Sequence, residues 1–428
     1  VSRFLFAWEL GSGLGHLGHV TAAAQALRAV GHSSALAVRD LRGLASVDPG
    51  PEIPVWQAPV CIHRYEGLAE PPLNYAEVLM RFGFLDQEMM LGLARAWREL
   101  VQAARADIIV ADHAPTAILS ARSLGLPCAV LGNGFTVPPL LAPTPNMRPW
   151  QNVSPSRLAD SENKVLDAIN FVLARFGVPV LAHLRDLFAI DDIIITNFPE
   201  LDHYAALRTP ADLERITFCG PIGASIGNTV RPVWPVTRNG AGDKRIFAYL
   251  KPDYPHIAVT LNALAASGQP CVIYGLGAGS AAAPPSATNL AFSLQPIDVT
   301  RAGNECAIGI CHAGTLSAIL LQLGRPLLLL PMHLEQFLAG LRVLNLGAGL
   351  VINPEDKQPD ISGAMARLLN ESQFADRAAE FAARYRDWSP ARIVGNAVAR
   401  LESVANGKGD SVHFDRGALR DDPDNPLL

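Results

Sequence analysis

His312-Ala-Gly314-Thr315 follows an apolar run ending at Cys311 and leads into a second run, Leu316 to Leu323, that reads as a helix closed by Gly324. Unpaired N–H groups at such a helix start, with the helix dipole behind them, form an anion site suited to a diphosphate. Gly314 lets backbone approach phosphates closely, and the Thr315 hydroxyl and His312 imidazole can add hydrogen bonds. After the apolar strand Arg325 to Met332 come Glu335 and Gln336, whose acceptors and amide donors suit vicinal sugar hydroxyls. Either half also fits ordinary strand-turn-helix punctuation with a capping threonine, because many α/β loops carry such residues.

A second set lies near the N-terminus. After the strand RFLFAWEL the chain runs Gly11-Ser-Gly13-Leu-Gly15-His16-Leu-Gly18-His19. Gly13, Gly15 and Gly18 match GxGxxG, and Asp40 ends the next strand where a dinucleotide ribose takes a carboxylate, so an NAD(P)- or flavin-dependent oxidoreductase is one open reading. His16 counts against it, sitting where the backbone must approach a pyrophosphate closely. A histidine just beyond the carboxyl end of the first strand can instead act as a base on an acceptor hydroxyl. Asp112, which ends the strand DIIVAD at the same sheet edge, can hold one imidazole nitrogen and stabilise the imidazolium. The plainer alternatives are a turn residue at 16 and, for Asp112, a cap on the helix near Thr116. His19, one helical turn on, is either the second candidate base or a helix-surface residue.

Strand-like and helical runs alternate throughout, which argues for parallel sheets covered by helices on both faces. In the first half strands are expected at Arg3–Leu10, Ser34–Arg39, Ile108–Ala111, Cys128–Leu131 and Ile193–Thr196, with helices at Val20–Val30, Glu88–Ala104, Thr116–Ser123 and Ser161–Arg175. The Gly/Pro-rich stretch 220–243 lacks either periodicity and reads as a linker between a domain over 1–219 and another over 244–405. In the second half strands are expected at Arg245–Leu250, Cys271–Tyr274, Ala307–Cys311, Leu327–Leu330 and Gly349–Ile352. The last helix, Ile393–Val404, is expected to pack back on the first domain, and residues 406–428 read as a disordered polar tail.

At 428 residues, 49% of them hydrophobic and 18% charged, the chain can bury two sizeable cores. A formal charge of −5 with scattered arginines gives no nucleic-acid or membrane-surface footprint, which leaves a small molecule as the expected ligand. Six cysteines lie far apart without CxxC spacing and read as reduced core residues of a cytoplasmic protein. No secretory signal is expected, since the first residues read as a strand without a basic region, a long apolar segment and a cleavage site, and no membrane-spanning segment, since the most apolar run, Leu316–Met332, is broken by Gln322, Gly324, Arg325 and Pro326.

Three segments resemble a known family: GLGHLGHVTAAAQALRAVGH, DIIVADHAP, and the stretch from CHAG through PMHLEQFLAGLRVLNLGAGLVI. The chain looks like a bacterial member of the GT-B-fold UDP-glycosyltransferases, the inverting group that modifies small and lipophilic acceptors. The resemblance implies two Rossmann-like domains facing a cleft, with His16 as general base and Asp112 as its partner. It makes His312, Gly314 and Thr315 diphosphate contacts and gives Glu335 and Gln336 the donor sugar. Phe84, Asn133 and Phe135 are assigned to a small, lipophilic or aromatic acceptor, in a region rich in aromatic and methionine residues that also suit a core. No metal and no cofactor beyond the nucleotide-sugar co-substrate is expected, and Asp422-Pro423-Asp424 in the tail is taken as a chance match. The chain departs from the family in its compact turn after His312, in Glu335 for an aspartate, in Ala339 for an asparagine and in Lys251-Pro252-Asp253 for a Gly-Ser turn. Those departures leave the donor's base and sugar open, and an epimerase or nucleotide-sugar binding protein remains the other alternative.

Overall fold

The computed structural model describes residues 1–223, 229–236, 244–276 and 287–407. Most of the expected tail, Asp422-Pro423-Asp424 within it, and parts of the expected linker lie outside these residues. The chain forms two compact units, one made of Val1–Thr196, Tyr204–Gly220 and the chain from Ala391, the other of Asn197–His203 and Pro221–Pro390.

The first unit is built on a parallel sheet of β1 (Arg3–Trp8), β2 (Ser33–Val38), β3 (Val55–Gln57), β4 (Ile108–Asp112), β5 (Cys128–Gly132), β6 (Asp192–Ile195) and β7 (Ile216–Phe218), in the order β3-β2-β1-β4-β5-β6-β7. Strands β4 and β5 are buried at every position, as expected of continuous apolar strands covered on both faces. The second unit carries β8 (Ile246–Tyr249), β9 (Cys271–Tyr274), β10 (Leu290–Ser293), β11 (Ile308–Cys311), β12 (Leu327–Leu329) and β13 (Gly349–Val351), in the order β10-β9-β8-β11-β12-β13. In each sheet the strand order reverses once, between β1 and β4 and between β8 and β11. The carboxyl ends of those strand pairs are where open α/β sheets hold ligands.

The structure adds β3, β7 and β10 to the expected strands, all of them short and none fully buried. Three or four residues are too few to show a period. The larger difference is at the first helix, which spans Leu14–Ala29 rather than starting at Val20. Glycine disfavours a helix interior by about 1 kcal/mol, yet Gly15 and Gly18 are helical here. Burial of Leu17, Gly18, Val20, Ala23, Ala24 and Leu27 outweighs that local preference. His16 and His19 therefore stand on one face of a helix, three residues apart.

The helix Pro390–Ala405 buries Ile393, Ala397, Val398, Leu401 and Val404, and its Arg400 meets Asp192 on β6 in a two-pronged ion pair at 2.8 and 3.0 Å. The Asp192 side chain is fully buried while Arg400 is one-third exposed. Removing one partner of such a pair strands a buried charge, so Arg400→Ala should lower unfolding free energy by about 2–3 kcal/mol in a urea titration. A loss below about 0.5 kcal/mol would show the pair to be incidental.

Candidate active site

The register of the first sheet sets Trp8, the last residue of β1, beside Asp112, the last of β4. The chain leaves β1 through Glu9, Leu10 and Gly11 and enters the helix Leu14–Ala29, whose first turn carries His16. The His16 ring stacks on the Trp8 indole with centroids 5.2 Å apart and planes 14° from parallel. Its Nδ1 lies 2.7 Å from Asp112 Oδ2, with both residues buried. An ionised carboxylate only accepts, so this contact assigns the proton to Nδ1 and makes Nε2 the basic nitrogen. The two residues that sequence spacing paired do meet.

Burial pushes the Asp112 carboxyl up, but the His16 and His19 imidazoles outweigh it and hold the group well below the usual carboxylate range. His19 Nε2 comes within 2.9 Å of the same Oδ2, off the line of a straight hydrogen bond. The three ligand atoms fall within 4.8 Å of one another, a spacing a transition-metal cation could also bridge. Gly132, at the end of β5, makes room for the other carboxylate oxygen: a Cβ there would lie 2.9 Å from Asp112 Oδ1.

Asp112 is not the helix cap. That role falls to Glu9, which is completely buried and accepts from the Thr116 amide at 2.9 Å and the Thr116 hydroxyl at 2.6 Å. Burial pushes the Glu9 carboxyl up to about 7, despite the bonds from Thr116. The folded protein thus holds a proton that the unfolded chain releases, so stability is full below the unfolded value and falls as pH rises to about 7. Glu9→Gln should abolish this decline, worth on the order of 2–3 kcal/mol between pH 5 and 7.5. Denaturation midpoints of the two proteins that fall in parallel over that range would contradict it.

Glu9 and Trp8 were legible only as parts of an apolar strand; a glutamate interrupting such a run was the available signal. His113 was also missed. It is buried, has φ +46° and sits directly after Asp112, a left-handed conformation unusual for a non-glycine residue. Its ring meets Phe135 edge-on at 6.3 Å and lies 6.1 Å from Tyr75. Phe135 thus joins the aromatic surroundings of the dyad, and Asn133 uses its side-chain oxygen to accept from the Phe135 amide at 3.1 Å. Phe84, expected on the acceptor side, is fully enclosed in the core formed with Tyr75, Leu79, Met90 and Trp97. Asp40, the carboxylate that the dinucleotide reading needs, accepts from the Arg42 amide at 2.9 Å and caps a short 3-10 turn.

In the second unit His312 follows β11 and is buried. Its Nε2 accepts from the Lys251 amide just after β8 at 2.9 Å, and its Nδ1 donates to the Leu330 carbonyl just after β12 at 2.7 Å. Both ring nitrogens are thereby committed to backbone, and burial lowers the imidazole's pKa, keeping it neutral. Through these two contacts His312 bolts together three strand ends. Ala313 then turns at φ +55° and Gly314 opens the helix Thr315–Gln322. No side chain caps this helix start and no acidic residue occupies its first turn, while Ser317 Oγ donates back to the Gly314 carbonyl at 2.6 Å. Gly314 is exposed and Thr315 half-buried, so amides and hydroxyl face an approachable helix terminus. Glu335 and Gln336 lie in the first turn of the helix Leu334–Asn345. Gln336 Oε1 accepts from the Met332 amide at 2.8 Å, which leaves its amide group as the donor.

No helix among the described residues is long and apolar enough to cross a membrane. No protein-family model and no curated protein matches the chain. Solved structures do. The glycotransferase of kitacinnamycin superposes with a TM-score of 0.66 at 16% identity, covering 94% of this chain and 99% of that one. CalG4, the calicheamicin glycosyltransferase, gives 0.65 at 18% identity over 95% and 98%. The spinosyn rhamnosyltransferase SpnG complexed with thymidine diphosphate gives 0.62 at 17% identity over 92% and 99%. Over nearly its whole length the chain has the fold of these GT-B glycosyltransferases, two parallel-sheet α/β domains.

Proposed function

We propose that the protein transfers a sugar from a nucleoside-diphosphate sugar to a hydroxyl of a small acceptor with inversion. The observation that carries this reading is the buried 2.7 Å contact of His16 Nδ1 with Asp112 Oδ2, which readies Nε2 as a base. His16 Nε2 takes the acceptor's hydroxyl proton as its oxygen bonds to the anomeric carbon. The bond from that carbon to the diphosphate oxygen breaks on the opposite face, and the diphosphate leaves with the electron pair. Asp112 stabilises the imidazolium so formed. Amides at the start of the helix Thr315–Gln322, with the Thr315 hydroxyl, offset the charge growing on the leaving group. Glu335 and the Gln336 amide hold the donor sugar, and His312 positions the turn beneath the phosphates. Phe135 and Asn133 contribute to the acceptor side, which suits an aromatic or lipophilic alcohol. The bound thymidine diphosphate named for SpnG makes dTDP the first nucleotide to try, with UDP second.

Thermal shifts with dTDP, UDP, GDP, NAD and NADP test the donor half directly, because a ligand that binds only the folded state raises its midpoint. One nucleoside diphosphate should do so, and an acceptor screen with the matching sugar donor should then yield a glycoside. A response to NAD or NADP alone would overturn the assignment and make Gly13–Gly18 a dinucleotide turn. Since helix amides supply the charge stabilisation, transfer should proceed at an unchanged rate in excess EDTA. A loss restored by a divalent cation would make the donor site metal-dependent.

A further inference from the structure

We infer that His19 is a positioning residue for the His16–Asp112 pair, the carboxylate being held from two sides by imidazoles one helical turn apart. The inference rests on the reading of His16 as a base, but its geometry stands by itself. His19 is buried, its ring lies 6.0 Å from that of His16, and its Nε2 approaches Asp112 Oδ2 to 2.9 Å. No hydrogen-bond acceptor other than Asp112 lies within reach of that nitrogen among the described residues. A buried N–H without a partner is costly, so the bent contact to Oδ2 is its outlet.

Asp112 Oδ2 accepts from His16 Nδ1 and faces His19 Nε2 at the same time, so His19 draws on the carboxylate charge that would otherwise stabilise a protonated His16. A carboxylate shared in this way keeps the His16 proton on Nδ1 while making the imidazolium easier to discharge, which a base that must release its proton each turnover requires. Of the ionisable side chains on neighbouring elements, His113, just after β4, comes near the His16 ring at Gly11, and Glu9, just after β1, is bound to Thr116. Neither lies on the helix that carries His16 and His19.

The test needs no substrate. Ring-selective isotope labelling of histidine in the full chain lets each imidazole be titrated by NMR, with His16→Gln identifying the His16 signal. His19→Phe keeps the ring volume and removes the donor; in it, His16 should titrate at higher pH than in the wild type. His19→Gln restores an N–H donor and should bring the titration back toward the wild-type position. Where a transfer assay exists, kcat of the phenylalanine variant should fall about tenfold with KM unmoved. A His16 titration unchanged in His19→Phe, or displaced equally in His19→Gln, would overturn the inference. So would a cobalt absorption band present in the wild type and lost in the His19 variants, which would make the trio a cation site.

Discussion

Asp112→Asn should lower kcat for sugar transfer on the order of a thousandfold or more, with nucleotide binding unchanged. The carboxamide has nearly the carboxylate's shape, so the loss isolates charge and tautomer. If its NH2 faces His16 Nδ1, the imidazole must accept there and carry its proton on Nε2, the nitrogen that has to be a base. If its oxygen faces His16, the tautomer survives but the imidazolium loses its counter-charge. His16→Ala combined with Asp112→Asn should be no slower than His16→Ala alone, because the two act as a unit. Stability supplies a control. The depressed Asp112 carboxyl contributes stability that is present above its unfolded value near 3.9 and lost as pH falls toward the folded one. The wild type should therefore lose unfolding free energy more steeply than the asparagine variant on acidification below about pH 4. A kcat within threefold of the wild type, measured on a variant of normal stability, would remove Asp112 from the mechanism.

The parallel α/β architecture was legible because buried parallel strands spell continuous apolar runs, and the central ones, β1, β4, β5 and β11, stand within a residue or two of their expected bounds. The edge strands β3, β7 and β10 were not, since a segment of three or four half-exposed residues has no period to read. The dyad was legible as a pair of strand-end positions because adjacent strand ends at a sheet's switch point must be neighbours in space. What spacing could not convey was burial. Glu9 looked like any residue leaving a strand, yet it took the capping role that Asp112 was otherwise a candidate for. Phe84 looked like an acceptor-pocket aromatic and is core. His312 looked like a phosphate ligand, and two backbone partners far from it in sequence, Lys251 and Leu330, have taken both its nitrogens.

Gly11→Ala should abolish transfer while leaving the nucleotide thermal shift intact. Gly11 has φ +84°, and a Cβ built there falls 2.7 Å from His16 Nε2, 3.3 Å from His16 Cε1 and 3.5 Å from His113 Nδ1. The methyl group would occupy the face of the nitrogen that an acceptor hydroxyl has to reach. A misplacement of the base by about 1 Å already costs about a hundredfold, so outright occlusion should cost at least as much. Backbone strain complicates the comparison, because an alanine in the left-handed region loses about 1–2 kcal/mol. Gly13→Ala separates the two effects. Gly13 also has a positive φ, +104°, but a Cβ there meets nothing within 4 Å. Both variants should lose stability, and only Gly11→Ala should lose transfer out of proportion to it. The dinucleotide reading requires the reverse, since Gly13 opens its GxGxxG turn and an added side chain there would obstruct the pyrophosphate. One pair of single-methyl substitutions thus sets the base that follows β1 against the phosphate loop that the same glycines could have made.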